Sequence, residues 1–113
     1  MLEISNDILN GVLVIHLSGR LDGISSKVFI EKTATAEYSS HPLIVINCKD
    51  LNYISSEGLR ALLMSAKHAK SLSGNLTLCN VNNTIHEVFL ISGFAKLLGL
   101  HASIDDAVKH LTG

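Results

Sequence analysis

The spacing of apolar residues changes several times along this chain, and each change marks the boundary of a predicted element. Short apolar runs bounded by Gly, Pro, Asn or Ser predict strands, and apolar residues three and four apart predict helices. Asn10–Gly11, between the first two runs, is a tight-turn signal and predicts an opening hairpin. Strands that alternate with helices in this way predict an α/β fold with a mixed sheet.

Five strands and about four helices are predicted from these patterns. The strands are Leu2–Asn6, Val12–Leu17, Leu43–Asn47 with a short continuation at Leu51–Ile54, Leu76–Val81 and Leu98–His101. The helices begin at Ser25, at about Ser56, at Asn82–Thr84 and at Ser103, and the first two are expected to reach about Tyr38 and Leu72.

Helix starts and helix faces are indicated by a few residues. Ser25 or Ser26 is expected to cap the first helix and Ser103 the last, because a serine oxygen accepts hydrogen bonds from the free N–H groups there. The apolar positions of the first helix are Val28, Phe29 and Ala36, and those near one face of the third are Ile85, Val88, Phe89 and Phe94.

The run Leu51–Leu63 is the most informative segment of the chain. A short strand ends in Ser55 and Ser56 and passes directly into the second helix, whose apolar positions begin at Leu59. A serine at such a junction lies beside the unpaired N–H groups of the first helical turn. It can serve as a helix cap, or it can carry a phosphate that the helix start tolerates.

Length and composition favour one domain, residues 1–113, with a largely aliphatic core. The chain has 113 residues, of which 47% are hydrophobic and only 4% aromatic, with no Trp. Its formal net charge is −1, and no basic run is present. Because nucleic-acid binders normally carry a cationic stripe, direct binding of nucleic acid is disfavoured.

The cysteines and the N-terminal sequence favour a cytoplasmic protein. Cys48 and Cys79 lie in apolar strand-like runs without metal-site spacing, so we expect two buried, reduced thiols and a reducing compartment. The first residues lack the pattern of a signal peptide, and no apolar run approaches transmembrane length. Membrane insertion is therefore not expected.

No pattern of catalytic or metal-binding residues is found. The histidines have no mutual ligand spacing, and there is neither a phosphate-binding glycine loop nor a nucleophile elbow around Ser56. We therefore expect no metal, no cofactor and no enzymatic activity.

Three segments resemble the STAS domain family, and bacterial anti-sigma-factor antagonists in particular. Tyr53–Leu59 resembles the family's phosphorylation motif, in which an Asp usually precedes a phosphorylatable Ser, a small residue, Gly and Leu. Gly11–Asp22 resembles the second strand with its Gly-x-Leu-Asp turn, and Ile91–Phe94 followed by Leu97–Leu98 resembles the late helix and the step to the last strand. The resemblance covers nearly the whole chain and implies a single STAS-like domain and its strand order.

The resemblance also implies a switch between partners. The unphosphorylated protein would bind an anti-sigma factor that is also a serine kinase, and the sigma factor would be released. The kinase would then phosphorylate the protein, and a metal-dependent serine phosphatase would reverse the modification. A monomer or weak dimer is expected.

Aligning Gly58 and Leu59 on the family motif places the phosphate acceptor at Ser56, with Ser55 as the second choice. Ser55 then occupies the position of the usual Asp, and Glu57 that of the usual small residue. The partner surface implied by the resemblance comprises Asp22, Ser25, Ser55, Ser56, Glu57, Gly58 and Arg60.

Several of these positions have a structural alternative. Asp22 can be a turn residue and Ser25 a cap. Gly58, inside the first helical turn, indicates close approach either of another segment of the fold or of a partner.

Two other functions remain open at this point. The chain can be a STAS adaptor subunit of a larger assembly, such as a lipid-transport ATPase or a stress-signalling complex, without a phosphorylation switch. The absence of the usual Asp before Ser56 favours that alternative. A small-ligand or nucleotide-binding module is the third possibility, and no phosphate-binding loop supports it.

Overall fold

Five strands, five α-helices and one 3-10 helix make up the described chain. A computed structural model describes the backbone of residues 1–113 and every side chain except that of residue 37. The strands are β1 (Leu2–Leu9), β2 (Val12–Leu21), β3 (Leu43–Ile54), β4 (Asn75–Cys79) and β5 (Gly99–His101). The helices are α1 (Ser25–Thr33), α2 (Ala36–Ser39), α3 (Ser56–Ser71), α4 (Asn83–Ser92) and α5 (Ile104–Thr112), with the 3-10 helix at Phe94–Lys96.

The strands form one mixed sheet in the order β1-β2-β3-β4-β5, which confirms the predicted α/β fold. β1 and β2 are antiparallel, and every other neighbouring pair is parallel. Leu9 pairs with Val12, so the hairpin loop consists of Asn10 and Gly11 alone. Both have positive φ, 53° and 78°, as a type I′ turn requires.

Each face of the sheet has its own apolar core because side chains alternate between the two faces. Leu13, Ile15 and Leu17 of β2 pack on the larger core, which includes buried residues of α1, α3 and α4. Val12 and Val14 face the opposite way, into a smaller core closed by α5. Helices on both faces explain why the central strands are nearly continuous runs of apolar residues.

Three strands are longer than predicted. β1 continues to Leu9, β2 continues to Leu21, and β3 is a single strand through the polar segment Asn47–Asp50. Lys49 and Asp50 are exposed, so this part of β3 has polar side chains in a strand. Because these residues are polar, a strand prediction based on apolar runs breaks at this segment, although the strand is continuous.

The first helix is shorter than predicted. α1 ends at Thr33, whose hydroxyl donates a hydrogen bond of 2.8 Å to the carbonyl oxygen of Phe29. Thr35 is extended, with φ −71° and ψ 159°, and separates α1 from the single turn α2. Phe29 is buried as expected, whereas Val28 is 52% exposed and does not belong to the core.

The later helices begin where predicted. Asn82 and Ser103 cap α4 and α5, accepting hydrogen bonds from the N–H groups of Ile85 and Asp106. α4 ends at Ser92, and Gly93, which follows it, has a φ of 81° in the left-handed region that favours glycine. Phe94 therefore lies in the separate 3-10 helix and is not part of α4.

None of the helices that the structure describes combines the length and apolarity needed to cross a bilayer.

Candidate functional site

Two strand-to-helix connections lie side by side at one edge of the sheet. The β2–α1 turn comprises residues 22–25, and the serine junction comprises residues 55–58. β2 and β3 are parallel neighbours in which Leu21 pairs with Ile54, so their carboxyl ends meet at the same edge. The N–H of Ser55 donates a hydrogen bond of 3.0 Å to the carbonyl oxygen of Leu21, which ties the two connections together.

Ser55 is the cap of α3. Its backbone is extended, with φ −96° and ψ 175°, and its side-chain oxygen accepts a hydrogen bond of 3.1 Å from the N–H of Gly58. The side chain is only partly exposed. Its side-chain oxygen is therefore already used as a hydrogen-bond acceptor at the start of the helix.

Ser56 is the first residue of α3 and is exposed. Among the residues that the structure describes, none makes a hydrogen bond with its hydroxyl. Of the two serines, Ser56 is thus the one whose oxygen is accessible without disturbing the helix start.

Glu57 presents an ionised carboxylate beside Ser56. Hydrogen bonds from its own backbone N–H and from the Ser55 hydroxyl lower the pKa of Glu57, and the positive charge of Arg60 lowers it further. A Cβ atom placed on Gly23 would lie 3.9 Å from the carboxyl carbon of Glu57. The Glu57 side chain therefore lies against the β2–α1 turn and links the two connections.

Gly58 is buried, and the fold itself requires a residue without a side chain there. A Cβ atom would lie 2.4 Å from the carbonyl oxygen of Leu21 and 2.9 Å from Cγ1 of Ile54. Of the two alternatives for Gly58, the internal contact is the one that the structure contains. We therefore assign Gly58 to the packing of α3 on β2, and its contact with a partner stays a prediction.

Asp22, and not Ser25 or Ser26, caps α1. Its Oδ1 accepts hydrogen bonds from the N–H groups of Ile24 and Ser25, at 3.2 and 3.0 Å. These bonds, with the Ser25 hydroxyl, lower the pKa of Asp22. Its side chain is partly exposed, so one carboxylate both fixes the turn and remains accessible.

Ser25 is buried within the β2–α1 turn, where only 7% of its surface is exposed. Its hydroxyl lies 2.7 Å from the carbonyl oxygen of Arg20 and 3.0 Å from Oδ1 of Asp22. Ser25 thus has a structural role in its own turn, and its contact with a partner stays a prediction.

Four further residues lie at this edge that the sequence analysis did not assign to the site. The guanidinium of Arg20 lies 4.1 Å from the ring centroid of Tyr53, and Arg20 Nε lies 3.9 Å from Oδ2 of Asp22. Ile24 is 83% exposed and Val28, one turn further along α1, is 52% exposed. The pairing of Arg20 with Tyr53 depends on strand register, whereas Ile24 could have been found as an apolar residue next to a capping Asp.

The two thiols are buried, as expected from the sequence. Burial raises the pKa of the Cys48 thiol, and it raises the pKa of Cys79 to about 11. Within the part of the chain that the structure describes, no three His, Cys, Asp or Glu side chains are arranged to hold a metal ion.

Comparisons with known proteins agree with this architecture. A family model described as the STAS domain matches residues 3–107. The chain is 30% identical over 96 residues to BtrV of Bordetella bronchiseptica, named as an anti-sigma factor antagonist, with 85% of this chain and 83% of that protein covered. It is 29% identical over 114 residues to the anti-sigma F factor antagonist of Paenibacillus polymyxa, covering 98% and 93%.

Solved structures share the fold at low sequence identity. An anti-sigma factor antagonist from Mycobacterium paratuberculosis superposes with a TM-score of 0.88 at 18% identity, covering 100% of this chain and 96% of that one. The Bacillus protein SpoIIAA in its phosphorylated form superposes with a TM-score of 0.71 at 22% identity, covering 97% and 98%. The similarity extends over whole chains in both cases.

Proposed function

This chain belongs to the STAS domain family, and from that premise we propose that it is an anti-sigma-factor antagonist switched by phosphorylation of Ser56. The unphosphorylated protein binds an anti-sigma factor that is also a serine kinase, and binding releases the sigma factor. The kinase transfers the γ-phosphoryl group of ATP to Oγ of Ser56, releasing ADP and a proton. A serine phosphatase restores the hydroxyl by hydrolysis, releasing inorganic phosphate.

One observation supports this proposal most directly: the two adjacent serines have different structural roles. Ser55 uses its oxygen to cap α3. Ser56 is exposed, and within the described chain its hydroxyl makes no hydrogen bond. A kinase can therefore approach Ser56 Oγ without breaking an interaction of the fold.

The surface that we propose for the partner surrounds Ser56. It combines the carboxylates of Asp22 and Glu57, the exposed guanidinium of Arg60 and the exposed apolar side chain of Ile24. Hydrogen bonds within the β2–α1 turn and the serine junction hold the backbone of both connections in place before binding. Such preorganisation lowers the entropic cost of association.

Phosphorylation changes this surface while the fold can persist. A phosphate adds about −1.5 to −2 charges at neutral pH. It would stand beside the ionised carboxylate of Glu57, where a partner that accepts the unmodified surface meets excess negative charge and a group that is costly to desolvate. The N-terminus of α3 tolerates the same charge, because the helix dipole is positive there.

The test is phosphorylation by the serine kinases of the source organism. Each is incubated with the protein and ATP, and the intact mass is measured. We expect one phosphate on the wild-type protein and on Ser55→Ala, and none on Ser56→Ala. A phosphate lost in Ser55→Ala but kept in Ser56→Ala would move the acceptor by one position. Partner binding without any phosphorylation would support the adaptor function instead.

A further inference from the structure

Arg60 lies one helical turn after Ser56 on the same face of α3. Both residues are exposed. Residues four apart on a helix are neighbours, with about 5–6 Å between their Cβ atoms. An anion placed before a cation at this spacing is the more favourable order. An anion on Ser56 would therefore have a guanidinium within reach on its own helix.

Arg60 is available for such a pair. Within the described chain it has no carboxylate inside ion-pair distance, and its charge acts at longer range on Glu57. Arg20, the other cation of this edge, is engaged by the Tyr53 ring and lies 3.9 Å from Asp22. Arg60 is thus the cation that can respond to a new charge without giving up a contact.

We propose that Arg60 is the internal counter-ion of phosphorylated Ser56. The inference rests on the proposed function for the identity of the modified residue. Guanidinium groups bind phosphate oxygens with two parallel hydrogen bonds, and a phosphate dianion attracts Arg60 more strongly than the Glu57 carboxylate does. Glu57 keeps the hydrogen bonds from its own N–H and from Ser55.

This pairing would make the switch act on two features of the partner surface at once. Phosphorylation adds negative charge at Ser56, and it also withdraws the Arg60 guanidinium from a partner that used it. The spacing of Ser56 and Arg60 thus links the modification to the loss of a cationic contact.

The test places phosphoserine at position 56 during translation, so that no kinase is needed. The second pKa of the phosphate is followed by ³¹P NMR in the wild-type background, in Arg60→Gln and in Lys67→Gln. Lys67 is exposed on the same helix, and its substitution removes the same charge far from Ser56. We expect Arg60→Gln to raise this pKa by about 0.2 to 0.4 unit, and Lys67→Gln to leave it nearly unchanged.

Two further measurements complete the test. The difference in phosphate pKa between wild type and Arg60→Gln should largely disappear in about 1 M NaCl, where the Debye length falls to about 3 Å. Arg60→Lys should restore part of the shift. Arg20→Gln is measured as a further variant. Equal phosphate pKa values in Arg60→Gln and Lys67→Gln would overturn the proposal, as would a rise seen only in Arg20→Gln. Because the phosphate is installed directly, a failure of kinases to modify Ser56 would contradict the proposed function and leave this result intact.

Discussion

At the scale of single residues, the two serines of the serine junction have different roles that the sequence does not distinguish. Ser55 and Ser56 are the same amino acid in adjacent positions, yet one is a cap and the other is free at the surface. The difference arises because Ser55 is still extended while Ser56 is already helical. An extended backbone is typical of a capping residue, because it turns the side-chain oxygen back to the N–H groups of the first turn.

Removing the cap should cost stability without removing the phosphate acceptor. We expect Ser55→Ala to lower the free energy of unfolding by about 1 kcal/mol, the usual cost of losing a serine cap. Ser56→Ala is the matched control, and its effect should be within about 0.5 kcal/mol, as for other surface changes. Urea denaturation of both variants measures the difference. Equal losses would contradict the assignment of Ser55 as the cap.

Gly58→Ala should destabilise the protein although alanine is the better helix former. The gain in helix propensity is at most about 1 kcal/mol. The new methyl group would stand against the Leu21 carbonyl oxygen and Ile54, and overpacking of this kind costs about 1 to 3 kcal/mol. Thermal melts should show a lower midpoint for Gly58→Ala than for Gly23→Ala, where a Cβ has only ordinary contacts. An unchanged midpoint with weaker partner binding would return Gly58 to the partner surface.

At the scale of elements, the β2–α1 turn owes its shape to an ionised side chain. Hydrogen bonds from the N–H and hydroxyl groups of Ser25, and from the N–H of Ile24, depress the pKa of Asp22 below its ordinary value of 3.8. A depressed pKa means that the charged form is favoured in the folded state. The contribution to stability is therefore complete above pH 3.8 and is lost as the pH falls through the lower folded value.

The advantage of wild type over Asp22→Asn should therefore shrink in acid. Asparagine can still accept the capping hydrogen bonds, so the variant removes mainly the charge. We expect the two free energies of unfolding to converge as the pH is lowered from about 5 to below the folded pKa of Asp22. Asp50→Asn, which removes an exposed carboxylate from β3, serves as the control. A difference that does not change with pH would contradict a role for the ionised form.

The exposed face of α1 should contribute to partner binding. Ile24 is an apolar side chain held by a capped turn next to Glu57, and burying it against a partner is worth about 1.5 to 3 kcal/mol. We expect Ile24→Ser to weaken binding of the anti-sigma factor at least about tenfold, or about 1.4 kcal/mol. Ile91→Ser on α4, at a site that is 87% exposed, is the matched control. Calorimetric titration measures both variants, and equal affinities would remove Ile24 from the surface.

At the scale of the whole molecule, the site is built on the carboxyl edge of a sheet whose two faces are covered by helices. The apolar cores on both faces fix β2 and β3, and these strands carry the β2–α1 turn and the serine junction. A charge added at Ser56 meets solvent and the helix start, not the core. Binding and folding should therefore respond separately to modification.

An acidic substitution at Ser56 tests this separation. Ser56→Asp and Ser56→Glu should leave the circular dichroism spectrum and the melting temperature nearly unchanged. Binding of the anti-sigma factor should fall at least about tenfold, because the new charge would stand beside Glu57 in the proposed partner surface. Ser71→Asp, at the opposite end of α3, adds the same charge as a control. Wild-type affinity in both Ser56 variants would count against a charge-based switch.

Local interactions explain what could be predicted from the sequence. The Asn10–Gly11 turn, the caps Asn82 and Ser103, and the helix after Ser56 depend on neighbours within a few residues. The period of apolar residues then determined the alternation of strands and helices, because each face must be buried against another layer. The resemblance to STAS domains depended on the same short segments, and the family match over residues 3–107 confirms it.

Contacts between segments distant in the chain determined the features that could not be predicted from the sequence. The unbroken course of β3, the pairing of Arg20 with Tyr53 and the burial of Ser25 depend on strand register and on segments distant in the chain. Gly58 illustrates the physical reason: its lack of a side chain is visible in the sequence, but the carbonyl oxygen of Leu21 that excludes one is brought there only by the parallel pairing of β2 and β3. The sequence alone thus determined most of the elements and, through its resemblance to STAS domains, the candidate acceptor. The tertiary structure decided which neighbours hold these residues in place and which side chains are exposed.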